Sequence, residues 1–116
     1  MATDQDLLSI EELFWTGGPE AYHQHCDDQC LAVFASMAAV MSRDDIARTA
    51  EKGRWSEVQM KPLAFVQPTE AVATIAYDCT ARRKDGHPHA PRVTSTYVRR
   101  PDGWKLAIHH QAETGG

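Results

Sequence analysis

The sequence has little basic charge to spare. Its 12 Lys and Arg stand against 16 Asp and Glu, a formal net charge of -4. Phosphate binding needs a concentrated basic face, so this balance argues against nucleic acid as a partner. Long apolar runs are also missing, and none approaches the roughly 18–20 residues of a membrane span. The start, MATDQD, lacks the basic and apolar segments of a secretory leader. The expectation is a cytoplasmic protein with no membrane partner. Cysteines number 3, namely Cys26, Cys30 and Cys79. An odd count among apolar neighbours fits buried free thiols better than a disulfide framework. There is no Gly-rich phosphate loop, nucleophile elbow or Ser/His/Asp order, so no cofactor is expected.

What is present suits one domain over residues 1–116. Hydrophobic residues make up 42%, enough to fill one core, and charged residues 24%, an ordinary globular share. The charge is uneven. Residues 1–53 hold ten acids and three bases, and the remainder six and nine. Arg82, Arg83, Lys84, Arg92, Arg99 and Arg100 read either as solvated strand ends or as a rim that attracts an anionic ligand.

The first half reads helical. Thr3 suits the cap of a helix from about Asp4 to Thr16, with Leu7, Ile10, Leu13 and Phe14 as its apolar stripe. Gly17-Gly18 stops it, and Pro19 suits the first turn of a short second helix carrying Tyr22 and Cys26. Cys30 to Ala35 is a short apolar run with the look of a buried strand. Ser42 and Asp45 resemble a capping box for a third helix, with Ile46, Ala47 and Ala50 inside and Gly53 as terminator.

After Trp55 the period changes to strands. Val58, Met60 and Leu63 lead into Phe65-Val66, and Pro68-Thr69 marks a turn. Ala71, Ala73, Ile75, Tyr77 and Cys79 alternate with Thr74, Asp78 and Thr80, as in a half-buried antiparallel strand. Asp85-Gly86 with Pro88 and Pro91 makes a loop, and Arg92 to Arg100 is another strand. Pro101-Asp102-Gly103 reads as a three-residue hairpin loop. That loop sets Val98 opposite Leu106, Thr96 opposite Ile108 and Thr94 opposite His110, all on one face. Being mostly apolar, that face is the expected core side, and Ser95, Tyr97, Lys105, Ala107 and His109 take the other. A two-residue turn would instead set Tyr97 opposite Leu106. Helices first and a meander after predict an α+β fold: three helices packed on a curved, mainly antiparallel sheet.

In this order of elements the chain resembles the nuclear-transport-factor-2-like superfamily, in particular its SnoaL-like branch, whose fold is a cystatin-like cone. The likeness is carried by Gly18-Pro19-Glu20-Ala21, by Asp27-Asp28, by Gly86, and above all by the run from Thr94 to Gln111 with its VRRPDGWKLAIHH look. The resemblance implies a homodimer formed through the outer sheet face and one conical pocket per subunit. It spans isomerases, dehydratases, cyclases and non-enzymatic association domains. The catalytic carboxylate of ketosteroid isomerases would fall near Val33, where neither that residue nor Phe34, Ala35 or Ser36 is an acid. That mechanism does not transfer.

His110 is the expected catalytic residue. On the inner face with Trp104, Leu106 and Ile108 it is either a general base in an apolar pocket or a core histidine bonded to Thr94 or to backbone. The expected ligand-binding set is Tyr22, Trp55, Met60, Thr94, Thr96, Trp104 and His110, since such pockets are mainly aromatic and aliphatic with a few polar groups. Asp78 is expected on the polar face, taking a partner such as Arg82 or Arg92 or standing exposed. No metal is expected. His23 and His25 point about 200° apart on a helix, and Cys26 and Cys30 straddle its end. His87-Pro88-His89 reads as an exposed loop. Two functions stand side by side: a dimeric pocket protein for a small, largely apolar molecule, with isomerase-, dehydratase- or cyclase-type chemistry open, and a non-catalytic association module.

Overall fold

The computed structural model describes residues 3–50 and 55–113. Helix α1 spans Asp4–Thr16, α2 Pro19–His25 and α3 Arg43–Arg48. The strands are β1 Cys26–Phe34, β2 Met37–Ser42, β3 Trp55–Thr69, β4 Val72–Arg83, β5 Pro88–His89, β6 Pro91–Arg100 and β7 Gly103–Glu113. The sheet runs β2-β1-β7-β6-β4-β3, with β5 on β4, and is antiparallel except where β1 lies parallel to β7. This is the expected α+β architecture.

Local chemistry sets the helix ends. Thr3 Oγ1 accepts from the Asp6 N–H while the Asp6 carboxylate takes the Thr3 N–H, a reciprocal box that fixes the start of α1. Ser42 Oγ accepts from the Asp45 N–H at 3.1 Å and opens α3. That helix ends at Arg48 with Thr49 as its cap. The expected terminator Gly53 lies outside the described residues. On α1 the fully covered stripe is Leu7, Glu11 and Trp15, at four-residue spacing, while Leu13 is 44% exposed.

Five expectations about the strands change. Cys26 already belongs to β1, and a second strand, β2, follows the Ala35-Ser36 turn where none was expected. Strand β3 continues through Pro62 and Pro68, which an edge strand tolerates because its outer N–H groups need no partner. Pro88–His89 is not loop but a short strand on Ala81 and Arg82. The fifth change concerns the last hairpin. Arg100 pairs with Gly103, so the turn has two residues, Pro101 and Asp102, with Gly103 at φ +125°. Tyr97 therefore faces Leu106. An extra residue in β7, Ala107, then bulges, and Thr96 again faces Ile108, with Thr94 opposite His110.

The expected pairs at Thr96 and Thr94 thus form, but on the outer face. The covered face of β6 is Val93, Ser95 and Tyr97, which continues Ala73, Ile75, Tyr77 and Cys79 of β4. Leu106 keeps its expected place in the core. Ser95 and Tyr97 looked too polar for a core side; their hydroxyls have a buried partner, described below. Burying a large apolar side chain in this layer contributes about 1.5–3 kcal/mol. The three cysteines are free and buried.

Candidate functional site

The helices and the inner sheet face enclose a cavity of about 470 Å³. Its walls are largely aromatic and aliphatic: Phe14, Trp15 and Tyr22 from the helices, Phe34 and Met41 from β1 and β2, Ile46 from α3, and Trp55 and Leu106 from the sheet. Phe14 and Tyr22 stack at 4.5 Å, and Trp15 meets Trp55 edge-on at 5.2 Å. One strip of wall is polar, made by His109, Gln111, His89 and Glu113, with Arg83 beside it.

Behind that strip lies a buried carboxyl group. Glu11 is fully covered, and α1 directs it at the sheet between Leu7 and Trp15. Tyr77 OH donates to its Oε1 at 2.6 Å, Ser95 Oγ donates to the same oxygen at 2.8 Å, and Tyr97 OH donates to Oε2. Trp15 Nε1–H donates in turn to the Tyr77 oxygen at 2.9 Å. Glu11 acts only as an acceptor here, and the donors come from neighbouring strands β4 and β6. Burial, with the nearby Glu11 charge second, holds the Tyr77 and Tyr97 hydroxyls well above the usual phenol range, so both stay protonated donors.

His109 continues the chain of bonds toward the cavity. Its Nδ1 lies 2.9 Å from Ser95 Oγ and 3.9 Å from Glu11 Oε1. Ser95 spends its single proton on Glu11, so Nδ1 of His109 must carry the hydrogen that Ser95 accepts. Nε2 is then the acceptor in the neutral ring. It takes a 2.9 Å bond from the Gln111 amide, whose oxygen in turn accepts from His89 Nε2 at 3.1 Å. Burial lowers the His109 pKa, and Glu11 offsets part of that. The neutral, proton-accepting form is therefore the resting one near pH 7.

Of the residues expected to bind ligand, Tyr22 and Trp55 line this cavity. Met60 and Trp104 are half-buried against the core but are not among its lining residues. Trp104 borders a second, more polar hollow with His25, Arg43 and Lys105. Thr94, Thr96 and His110 lie on the outer sheet face, where Thr96 bonds Thr74 at 2.9 Å and His110 is exposed. The parity that sent His110 inward fails because the covered face of β6 is the one carrying Ser95, and Ser95 faces His109. Asp78 takes both bonds of the Arg92 guanidinium on the outer face, at 2.8 and 3.1 Å. Among the described residues no group of three or more His, Cys, Asp or Glu is placed to hold a metal ion, and no helix is long and apolar enough to cross a membrane.

The residues that make this site, Glu11, Ser95, Tyr97, His109 and Gln111, were not expected from the sequence. One signal for them exists. A glutamate four residues from both Leu7 and Trp15 sits mid-stripe on an amphipathic helix, where a charge needs buried donors.

Three helices over one face of a mixed sheet, with a cavity between them, match the fold of solved nuclear-transport-factor-2-like (NTF2-like) proteins. An NTF2-like protein of unknown function from Prochlorococcus superposes with a TM-score of 0.77 at 16% identity, over 100% of this chain and 96% of that one. A ketosteroid-isomerase-like protein from Parabacteroides distasonis gives 0.75 at 16% identity, over 97% and 89%. The association domain of C. elegans CaMKII gives 0.70 at 14%, over 93% and 90%. No family model and no curated protein matches the chain.

Proposed function

We propose that this chain is a dimeric pocket protein that takes a small, largely apolar molecule with a hydrogen-bonding group placed at His109, and that His109 moves a proton on it. The observation that carries this reading is the order Glu11, Ser95, His109 ending on an imidazole nitrogen with an accepting lone pair at the cavity wall. A C–H next to a carbonyl, or an O–H, gives its proton to Nε2. The positive ring keeps its Nδ1–H on Ser95 and faces Glu11 at 3.9 Å. Gln111 must release Nε2 for this, and its freed amide N–H can then hold the ligand oxygen. Returning the proton to a second carbon is an isomerisation; returning it to a departing hydroxyl is a dehydration. The likeness to a ketosteroid-isomerase-like protein is compatible with this chemistry, although the base here is a histidine on β7 rather than a carboxylate near Val33.

The outer sheet face supports the dimer. Leu31, Val40, Val66 and Ile108 are 37%, 65%, 55% and 39% exposed there, beside the Thr74–Thr96 pair. The same apolar face, with the likeness to an association domain, favours the second reading, a module that only assembles.

A thermal-shift screen with apolar ketones and aromatic alcohols separates the two. Stabilisation of the wild type and of His110→Gln, but not of His109→Gln, is expected. Hits that are ketones should exchange their α-protons for deuterium faster with the wild type than with His109→Gln. No stabilising ligand for any of the three proteins leaves the association module as the reading.

A further inference from the structure

The six basic residues singled out in the second half, Arg82, Arg83, Lys84, Arg92, Arg99 and Arg100, do not share one fate. Arg92 is held by Asp78, Arg100 by Asp27 in a two-bond pair at 3.0 and 2.8 Å, and Arg82 by Glu57 at 2.8 Å. Of the six, Arg83 is the one that lines the cavity. Its guanidinium lies over the Trp55 ring, 5.5 Å from the centroid. Trp55 also carries His89, stacked at 5.1 Å with 24° between the planes, and Trp15 edge-on at 5.2 Å. One indole thus holds a planar cation at the rim of an aromatic hollow. At the polar wall of the same hollow is His109, with Phe34 6.1 Å from its ring.

We infer that the ligand of this cavity is an amphipathic monocarboxylic acid: a flat apolar body, a carboxylate on Arg83, and a carbonyl or hydroxyl at His109 and Gln111. The inference rests on the pocket reading above and names its substrate class. A guanidinium fork matches the two oxygens of a carboxylate, and stacking on an aromatic face leaves its N–H edge free to do so. A neutral ligand would leave Arg83 without that bond. Two acids stand near: Glu113, 4.0 Å from His89 Nδ1, and Asp85, whose carboxyl is held low first by its bonds from His87 and only lastly by the Arg83 charge.

The probes are 2-naphthoate and its neutral methyl ester, titrated by calorimetry into the wild-type protein and into Arg83→Gln. Arg83 is exposed, so the variant keeps its fold. The wild type should bind the acid about tenfold more tightly than the ester at low salt, and the preference should shrink as salt rises. Arg83→Gln should lose the preference while its affinity for the ester stays unchanged. Ester and acid binding equally to the wild type, or an acid preference that survives in Arg83→Gln, overturns the inference and leaves the pocket reading standing. Failure of both probes to bind overturns both.

Discussion

The hydroxyl of Tyr97 and the carboxyl group of Glu11 should be energetically coupled, and a double-mutant cycle measures by how much. Tyr97→Phe keeps the ring and removes one donor from a fully covered acceptor. A hydrogen bond to a charged group contributes about 1.5–3 kcal/mol, so the single change should cost about 2 kcal/mol. With a urea slope near 2 kcal/mol/M that moves the unfolding midpoint down by about 1 M. Glu11→Gln has nearly the same volume but only one acceptor oxygen. Tyr77 and Ser95 both point at Oε1, so the amide oxygen belongs there and the amide nitrogen meets Tyr97. Tyr97 must then turn to accept, and its own proton loses a partner. In the Glu11→Gln background Tyr97→Phe should therefore cost close to nothing, a coupling of about 1.5–3 kcal/mol. Costs that add within about 0.5 kcal/mol would show that the two groups do not act together and would refute the network.

Two further outcomes follow from the same geometry. Burial lowers the folded His109 pKa below its ordinary 6.5, with Glu11 only partly offsetting this. As pH falls below about 6.5 the unfolded chain gains a proton that the folded chain refuses, so stability is full above that pH and declines beneath it. Urea midpoints at pH 7 and pH 5.5 should differ less in His109→Gln than in the wild type, a window well above the one where the lowered Asp27 and Asp78 carboxyls titrate. On the outer face, Thr96→Lys places a charge beside Thr74 and among exposed apolar side chains; sedimentation should find a dimer for the wild type and a monomer for the variant.

The architecture was legible because its signals are local and redundant. Thr3 and Ser42 cap, Pro19 starts a helix, and the alternation from Ala73 to Cys79 names the covered side of β4 correctly. The site was less so, because it depends on which side of β6 and β7 turns inward. The Val98, Thr96 and Ile108 side looked like core by hydrophobicity and is instead the outer, partly exposed face, while Ser95 and Tyr97 are fully buried. Polar residues enter a core when partners wait there, and the partner here is Glu11, 84 and 86 positions away in the chain. No window of sequence holds both. The hairpin adds a second obstacle, since its turn has two residues rather than three and a bulge at Ala107 restores the later pairs.

The distance between Glu11 and its donors also bears on how the molecule is made. A chain grows from its N-terminus at about 5–20 residues per second, so helix α1 leaves the ribosome several seconds before Ser95 and Tyr97 exist. Until then its carboxyl group has water as its best partner, and Leu7 and Trp15 beside it have no sheet to cover them. Helix α1 is thus made before the strands that satisfy its carboxyl group and waits for them.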